Sequence, residues 1–86
     1  MVEEAKYYAI VDHRASLKDP AGIARRRLLG DGGFHDEALA ADLSWKFTPL
    51  IVEWERAEST ADLVEITEDE ANQVIERLRA RWGAAS

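Results

Sequence analysis

The last third of the chain carries the clearest pattern of apolar and polar positions. From Thr67 to Gly83 apolar residues recur every three or four positions, which predicts an amphipathic helix over 67–82. Thr67 and Glu70 have the spacing of a capping box, and Gly83 is suited to end the helix. A helix of this length is marginally stable alone, so its apolar stripe must pack on other elements. The stripe consists of Ala71, Val74, Ile75, Leu78 and Trp82.

The first third of the chain follows a two-residue period instead. Residues 6–12 are rich in aromatic and β-branched side chains and predict a strand. Apolar side chains fall on both of its faces, with Tyr7 on one and Tyr8 on the other. This is typical of a central strand that is covered on both sides. The tyrosines are interpreted as core rings with hydroxyls at the rim, and alternatively as a stacking surface for a ligand or a base.

A second strand is predicted over residues 23–29, and it contains three consecutive arginines. Strand alternation puts Arg25 and Arg27 on one face and Arg26 on the other. The functional interpretation is a small basic patch for phosphate or for an acidic partner. The structural interpretation is pairing across the sheet with nearby carboxylates, while the arginine stems cover apolar surface.

Residues 30–33 contain three glycines and are predicted to turn the chain as a hairpin connection. Their spacing matches neither a Walker loop nor a dinucleotide fingerprint, so no phosphate loop is expected. Counting back from this turn sets Leu28 near Asp36 and Arg27 near Glu37, within about two residues.

The middle of the chain is ambiguous between strand and helix. Residues 36–47 alternate strictly at their apolar positions but are rich in alanine, and we interpret them as a strand that bends around 42–44. Residues 49–57 follow a Thr-Pro pair that resembles a helix start, although a strand also fits their alternation. Residues 63–66 form a short extended run. Residues 12–22 and 58–62 read as loops.

These elements predict one α+β domain over residues 1–86. About three antiparallel strands form a small sheet, the C-terminal helix packs on one face, and a second short helix closes the core. Residues 1–5 and 84–86 are expected to be loose ends. Three tryptophans are too much apolar area to leave exposed in so short a chain, so they are expected to meet in or beside the core. They are Trp45, Trp54 and Trp82.

Composition narrows the class of protein. The chain has no cysteine, and no stretch approaches the roughly 20 apolar residues of a membrane span. Its first residues are acidic, unlike a signal peptide, so a cytoplasmic location is expected. The net charge is −6, with the acidic excess confined to residues 31–86. Such a surface repels phosphate backbones and anionic lipid, so neither nucleic acid nor membrane is an expected partner.

Residues capable of catalysis or metal binding do not form a recognisable motif. His13 and His35 are the only histidines, and neither has a further ligand at a helical spacing, so both are interpreted as loop residues. No serine lies in a nucleophile elbow. We therefore expect no metal, no cofactor and no catalytic residue.

Several short motifs resemble a group of small uncharacterised actinobacterial and phage proteins. The most recognisable are Trp45 with Thr48-Pro49 and the run from Val64 to Ala71. Tyr7-Tyr8-Ala9, Arg25-Arg26-Arg27 and Asp36-Glu37-Ala38 precede them in the same order. The resemblance spans most of the chain and implies one compact domain. It implies no activity and no catalytic residue.

The sequence thus favours a non-catalytic protein-interaction or regulatory module. One alternative is a nucleic-acid-associated factor that uses Arg25, Arg26 and Arg27. Another is a small ligand-binding protein or enzyme with a cleft beside Tyr7 and Tyr8. The partner, the pathway and the oligomeric state are not specified by any motif.

Overall fold

The structure, a computed structural model, describes residues 4–11, 20–59 and 61–84. Of the predicted loop over 12–22, residues 12–19, with His13, lie outside the described residues, and Gly22 already belongs to β2. The described residues form five strands and two helices. These are β1 (Glu4–Val11), β2 (Gly22–Leu28), β3 (Phe34–Leu39), β4 (Trp45–Phe47), α1 (Leu50–Glu55), β5 (Asp62–Ile66) and α2 (Glu68–Ala84).

All neighbouring strands in the sheet are antiparallel, in the order β4-β3-β2-β1-β5. The segment with α1 crosses from one edge of the sheet to the other, because β4 and β5 lie at opposite edges. The predicted α+β class with an antiparallel sheet is confirmed. The predicted count of about three strands is wrong: residues 36–47 divide into two strands, and the short run before α2 pairs with β1 along its full length.

Two hairpins of the same design join β2 to β3 and β3 to β4. In each, a three-residue loop closes with a hydrogen bond from the N–H of its third residue, Gly32 or Leu43, to the carbonyl of the residue preceding the loop. An aspartate at the middle of each loop, Asp31 or Asp42, accepts from the backbone N–H two residues on. The third loop residue has a left-handed backbone, with φ of 89° at Gly32 and 66° at Leu43. Glycine is the usual choice there, which explains why the second turn was read only as a bend.

Two separate apolar clusters lie on the two faces of the sheet. One joins α2, through Val74 and Leu78, to the strand residues Ala9, Ile23 and Leu39. The other joins α1, through its buried Ile51, to Tyr8, Ala24 and Leu63. The prediction that β1 is a central strand covered on both sides is confirmed. The predicted meeting of the tryptophans is wrong: Trp45 and Trp82 pack against the first cluster and Trp54 against the second, so the sheet separates them.

The capping box that starts α2 forms as predicted. The Thr67 hydroxyl oxygen accepts from the Glu70 N–H at 3.1 Å, and a Glu70 carboxylate oxygen accepts from the Thr67 N–H at 3.0 Å. The predicted stop at Gly83 is wrong, because the helix continues to Ala84. The expectation of loose ends at 1–5 and 84–86 stays a prediction. Glu4 and Ala5 belong to β1, and Ala84 belongs to α2.

The short helix α1 resolves the ambiguity at 49–57 in favour of helix. The helix starts one residue later than predicted, because Pro49, and not Thr48, is at the N-cap position. The N–H of Leu50 donates to the Thr48 hydroxyl at 3.2 Å. Ala57 follows the helix with a left-handed backbone. Among the described residues, no helix has the length and apolar character to cross a membrane.

Candidate binding surface at the open end of the sheet

The sheet face that packs against α2 changes from apolar to charged along the strands. At one end Ala9, Ile23 and Leu39 are buried under the helix. At the other end the strand register lines up polar and aromatic side chains. One row of directly paired residues crosses all five strands, and a shorter row lies beyond it. We define the open end of the sheet by six residues of these rows: Tyr7, Arg25, Arg27, His35, Glu37 and Phe47.

A depression of about 370 Å³ lies at this open end. It is lined by Ala5, Tyr7, Arg25 and Arg27. The two arginines point to the same side because strand residues two apart share a face, as the sequence predicted. The depression therefore combines an aromatic ring with two positive charges, a composition suited to an anionic group attached to an apolar body.

Glu37 is the centre of the charge network at the open end. Its Oε1 accepts from the Arg25 Nε at 3.0 Å and lies 2.9 Å from the Arg25 Nη2. The same oxygen is 3.8 Å from the Arg27 Nη1, and Oε2 is 3.6 Å from the His35 Nε2. Glu37 is buried, so the screening of these interactions by water is reduced. One carboxylate thus orients two guanidinium groups towards the depression.

The aromatic side chains of β4 complete the open end. The Arg25 guanidinium carbon lies 4.0 Å from the centroid of the Trp45 ring, a cation–π contact that fixes this arginine further. Phe47 is 71% exposed, the most exposed large apolar residue in the described part of the chain. Its ring centroid is 6.0 Å from that of His35. An accessible apolar ring therefore stands beside the charged network.

The third arginine of the run in β2, Arg26, lies on the opposite face of the sheet and has a structural role. Its Nε and Nη2 donate to the two carboxylate oxygens of Asp36 at 2.8 and 3.1 Å, and Nη1 and Nη2 reach Glu55 on α1. The hydrogen bonds to Asp36 raise the pKa of Arg26 above its ordinary value, although burial acts the other way. Phe34 stacks on the guanidinium at 4.0 Å. Arg26 therefore joins α1 to the sheet.

Tyr8 also lies on the face covered by α1. It is buried, and its ring centroid is 6.0 Å from that of Trp54. Burial, and next the Glu65 carboxylate, raise the pKa of the Tyr8 hydroxyl. The predicted candidates therefore divide: Tyr7, Arg25 and Arg27 meet at the open end, whereas Tyr8 and Arg26 lie on the other side of the sheet. The proposed cleft beside both tyrosines keeps only Tyr7.

The arginines pair with the carboxylates that the sequence suggested, but two residues away from the counted register. Arg25 lies opposite Glu37, and Arg26 lies opposite Asp36. The count placed Arg27 opposite Glu37. The loop contains only three residues, and Leu29 and Gly33 on either side of it already hydrogen-bond to each other. Strand pairing therefore begins earlier along the chain than the count assumed. A shift of two residues lies within the range given for the count, and it preserves the facing of every side chain, so the assignment of faces holds.

Sequence reasoning missed two members of the open end, His35 and Phe47. It predicted that Glu37 pairs with an arginine but did not identify Glu37 as the centre of the charge network. The interpretation of His35 as a loop residue is wrong, because His35 belongs to β3. The alternation of residues 45–47 indicated a strand that contains Phe47. It did not indicate that this strand, β4, lies at the edge of the sheet. Exposure of Phe47 follows from that position.

Possible metal ligands are not clustered in the described ranges, where no three His, Cys, Asp or Glu side chains are placed to hold an ion. Comparison of the chain with protein-family models, curated proteins and solved structures finds no match. The resemblance to small actinobacterial and phage proteins stays a prediction.

Proposed function

We propose that the protein is a non-catalytic protein-interaction module whose open end binds an acidic segment of another protein. The observation that carries the proposal is the depression beside Tyr7, with the guanidinium groups of Arg25 and Arg27 in its lining. A binding function without catalysis requires only such a surface, held in a fixed geometry.

Arg25 and Arg27 contribute to binding in different ways. Arg25 is held by Glu37 and stacked on Trp45, so little rotamer freedom is lost when a ligand binds near it. The Arg27 side chain is 36% exposed, and its ion pair with Glu37 is long at 3.8 Å. Arg27 is thus the more accessible contact for an incoming carboxylate, and Arg25 supplies a preorganised charge behind it.

The charge balance favours a carboxylate over a polyphosphate. The open end brings together two arginines and the carboxylate of Glu37, in a protein whose net charge is −6. Nucleic acid binding gains most of its affinity from many cations along a phosphate backbone. Two arginines that share one carboxylate offer little of that, whereas they suffice for one or two carboxylates of a peptide.

An NMR titration tests the proposal. The isotope-labelled protein is titrated with acetylated and amidated oligoglutamate at low salt, and backbone amide shifts are followed. We expect shifts that concentrate on β2 and β3 at the open end. Arg27→Gln should weaken binding several-fold, whereas Arg79→Gln, which removes the same charge from the exposed face of α2, should not. Equal weakening by both substitutions would mean non-specific charge attraction and would overturn the proposal.

A parallel titration with single-stranded DNA and RNA addresses the alternative. We expect binding that is weak and insensitive to Arg27→Gln. Tight binding that falls steeply with salt and is lost in Arg27→Gln would replace the protein partner by a nucleic acid.

A further inference from the structure

The strand β5, at one edge of the sheet, covers only part of β1. Their pairing ends at Tyr7, which lies opposite Ile66, whereas β1 begins at Glu4 and pairs with β2 from that residue on. On the β5 side, no described residue pairs with β1 before Tyr7. We define the β1 edge as this uncovered side of residues 4–6.

The start of α2 explains why β5 stops short of the β1 edge. If the register continued, Thr67 and then Glu68 would be the next residues to pair with β1. The capping box uses the backbone of Thr67 instead: its N–H donates to the Glu70 carboxylate, and its carbonyl accepts from the Ala71 N–H at 2.8 Å. The chain therefore turns into the helix and leaves the β1 edge open.

Ala5 turns both of its backbone polar groups to the β1 edge. The Ile10 carbonyl accepts from the Ala21 N–H, which lies on the β2 side of β1. Backbone groups of successive strand residues point to alternate sides, so the N–H and carbonyl of Ala5 point away from β2. A donor and an acceptor on an uncovered strand edge are a template for one more strand.

Resting on the function proposed above, we propose that the acidic segment binds as an additional strand beside β1, with one acidic side chain opposite Ala5. The new strand lies in line with β5 and runs antiparallel to β1, as all neighbouring strands of this sheet do. In such a complex the backbone hydrogen bonds provide affinity, and the side chain opposite Ala5 provides specificity.

The strand register brings the acidic side chain to the two arginines of the open end. Ala5 is the direct partner of Arg27, and both residues line the depression together with Tyr7 and Arg25. A residue opposite Ala5 faces the same side of the sheet as these residues. In its row, only the methyl group of Ala5 lies between the new side chain and Arg27. The charge of the depression therefore selects an acidic residue at this position.

Acidic groups around the β1 edge limit the number of carboxylates in the segment. Glu4 is exposed in β1, and like charges directly opposite each other in a sheet are destabilising. The first turn of α2, which follows the end of β5, is also acidic and contains Glu68, Asp69 and Glu70. The acidic residue of the segment is therefore flanked by uncharged residues that favour a strand.

NMR titration of the full chain with three acetylated and amidated peptides tests the strand pairing. All three have the sequence Thr-Val-Glu-Val-Thr. One is unmodified, one is N-methylated at the Glu amide, and one at the amide of the following Val. Methylation at Glu should weaken binding about fivefold, because it removes the donor to the Ala5 carbonyl. Methylation at the following Val should not, because that N–H points away from β1.

Amide hydrogen exchange provides a second measurement on the same samples. We expect the Ala5 amide to exchange rapidly in the free protein and to become protected when the unmodified peptide is bound. The Lys6 amide is the control, since it points towards β2 and its protection should change little.

The outcomes separate this inference from the function on which it rests. Equal affinity of the two methylated peptides, with an Ala5 amide that stays unprotected, would overturn the strand pairing; if Arg27→Gln still weakens binding, the acidic-segment function stands. A larger effect of methylation at Val would overturn the antiparallel direction. Failure of these peptides and of oligoglutamate to shift the open end would overturn both proposals.

Discussion

Removal of one partner from the Arg26–Asp36 ion pair should destabilise the fold strongly. The Arg26 side chain is 12% exposed and that of Asp36 3%. Asp36→Leu would leave a guanidinium in this position without its bidentate carboxylate. Breaking a buried pair in this way costs about 3–5 kcal/mol. Because Arg26 keeps Glu55 as a second partner, we expect a loss of about 3 kcal/mol, the lower end of the range.

Removal of one partner of a buried ion pair costs much more stability than removal of both, so a double variant is the control. Arg26→Met combined with Asp36→Leu removes both charges and leaves no orphan. We expect this double variant to lie within about 1 kcal/mol of the parent, or to be more stable, since desolvation of two charges offsets most of their attraction. Glu55→Gln alters a carboxylate that is 50% exposed and should cost at most about 1 kcal/mol.

Urea unfolding followed by circular dichroism measures these differences. A chain of this length has a stability of about 4–13 kcal/mol, so a loss of 3 kcal/mol leaves a measurable folded baseline at most of that range. A loss below about 1 kcal/mol in Asp36→Leu would show that water replaces Asp36, and the pair would not be a buried one. A double variant as unstable as the single would show that packing, rather than charge, explains the loss.

Three further predictions concern the cap, a turn and the alkaline range. Thr67→Ala should lower stability by about 0.5–2 kcal/mol, because it removes the acceptor of the Glu70 N–H; an unchanged urea midpoint would contradict this. Leu43→Gly should raise the urea midpoint, because the left-handed backbone at φ 66° strains leucine and suits glycine. A lower midpoint would mean that the Leu43 side chain stabilises the fold by more than the strain costs. Burial raises the pKa of Tyr8 above 10.0, so its stabilising contribution is complete below that pH and is lost as pH rises through the folded-state pKa. Stability curves of the parent and Tyr8→Phe should therefore converge or cross in the alkaline range, and parallel curves would contradict the shift.

Local patterns determined much of the fold. The capping box and apolar stripe of α2 are short-range features, because a cap involves residues three apart and a stripe repeats every turn. The facing of Arg25, Arg26 and Arg27 follows from strand alternation alone. Their pairing with Asp36 and Glu37 needed only a nearby turn and opposite charges. These predictions depend on neighbours in sequence, and they agree with the structure.

The tertiary structure decided which strands lie at the edges of the sheet, where the helices end and which strands pair. Residues 63–66 looked like a minor extended run, yet they form an edge strand because β1 offers an unpaired side. The turn at Leu43 carries no glycine, and the sheet pairing of β3 and β4 imposes its left-handed backbone. The helix α2 passes Gly83 because glycine permits a stop without requiring one.

The candidate site shows the same division. Tyr7, Arg25 and Arg27 were recognised from sequence, since each belongs to a conspicuous run of residues. Phe47 joined them only through the register of three strands, because it pairs with Glu37, which in turn pairs with Arg25. A side chain's exposure and its neighbours two strands away depend on strand order and on how far α2 extends over the sheet. Those are long-range properties, which no local pattern of residues encodes.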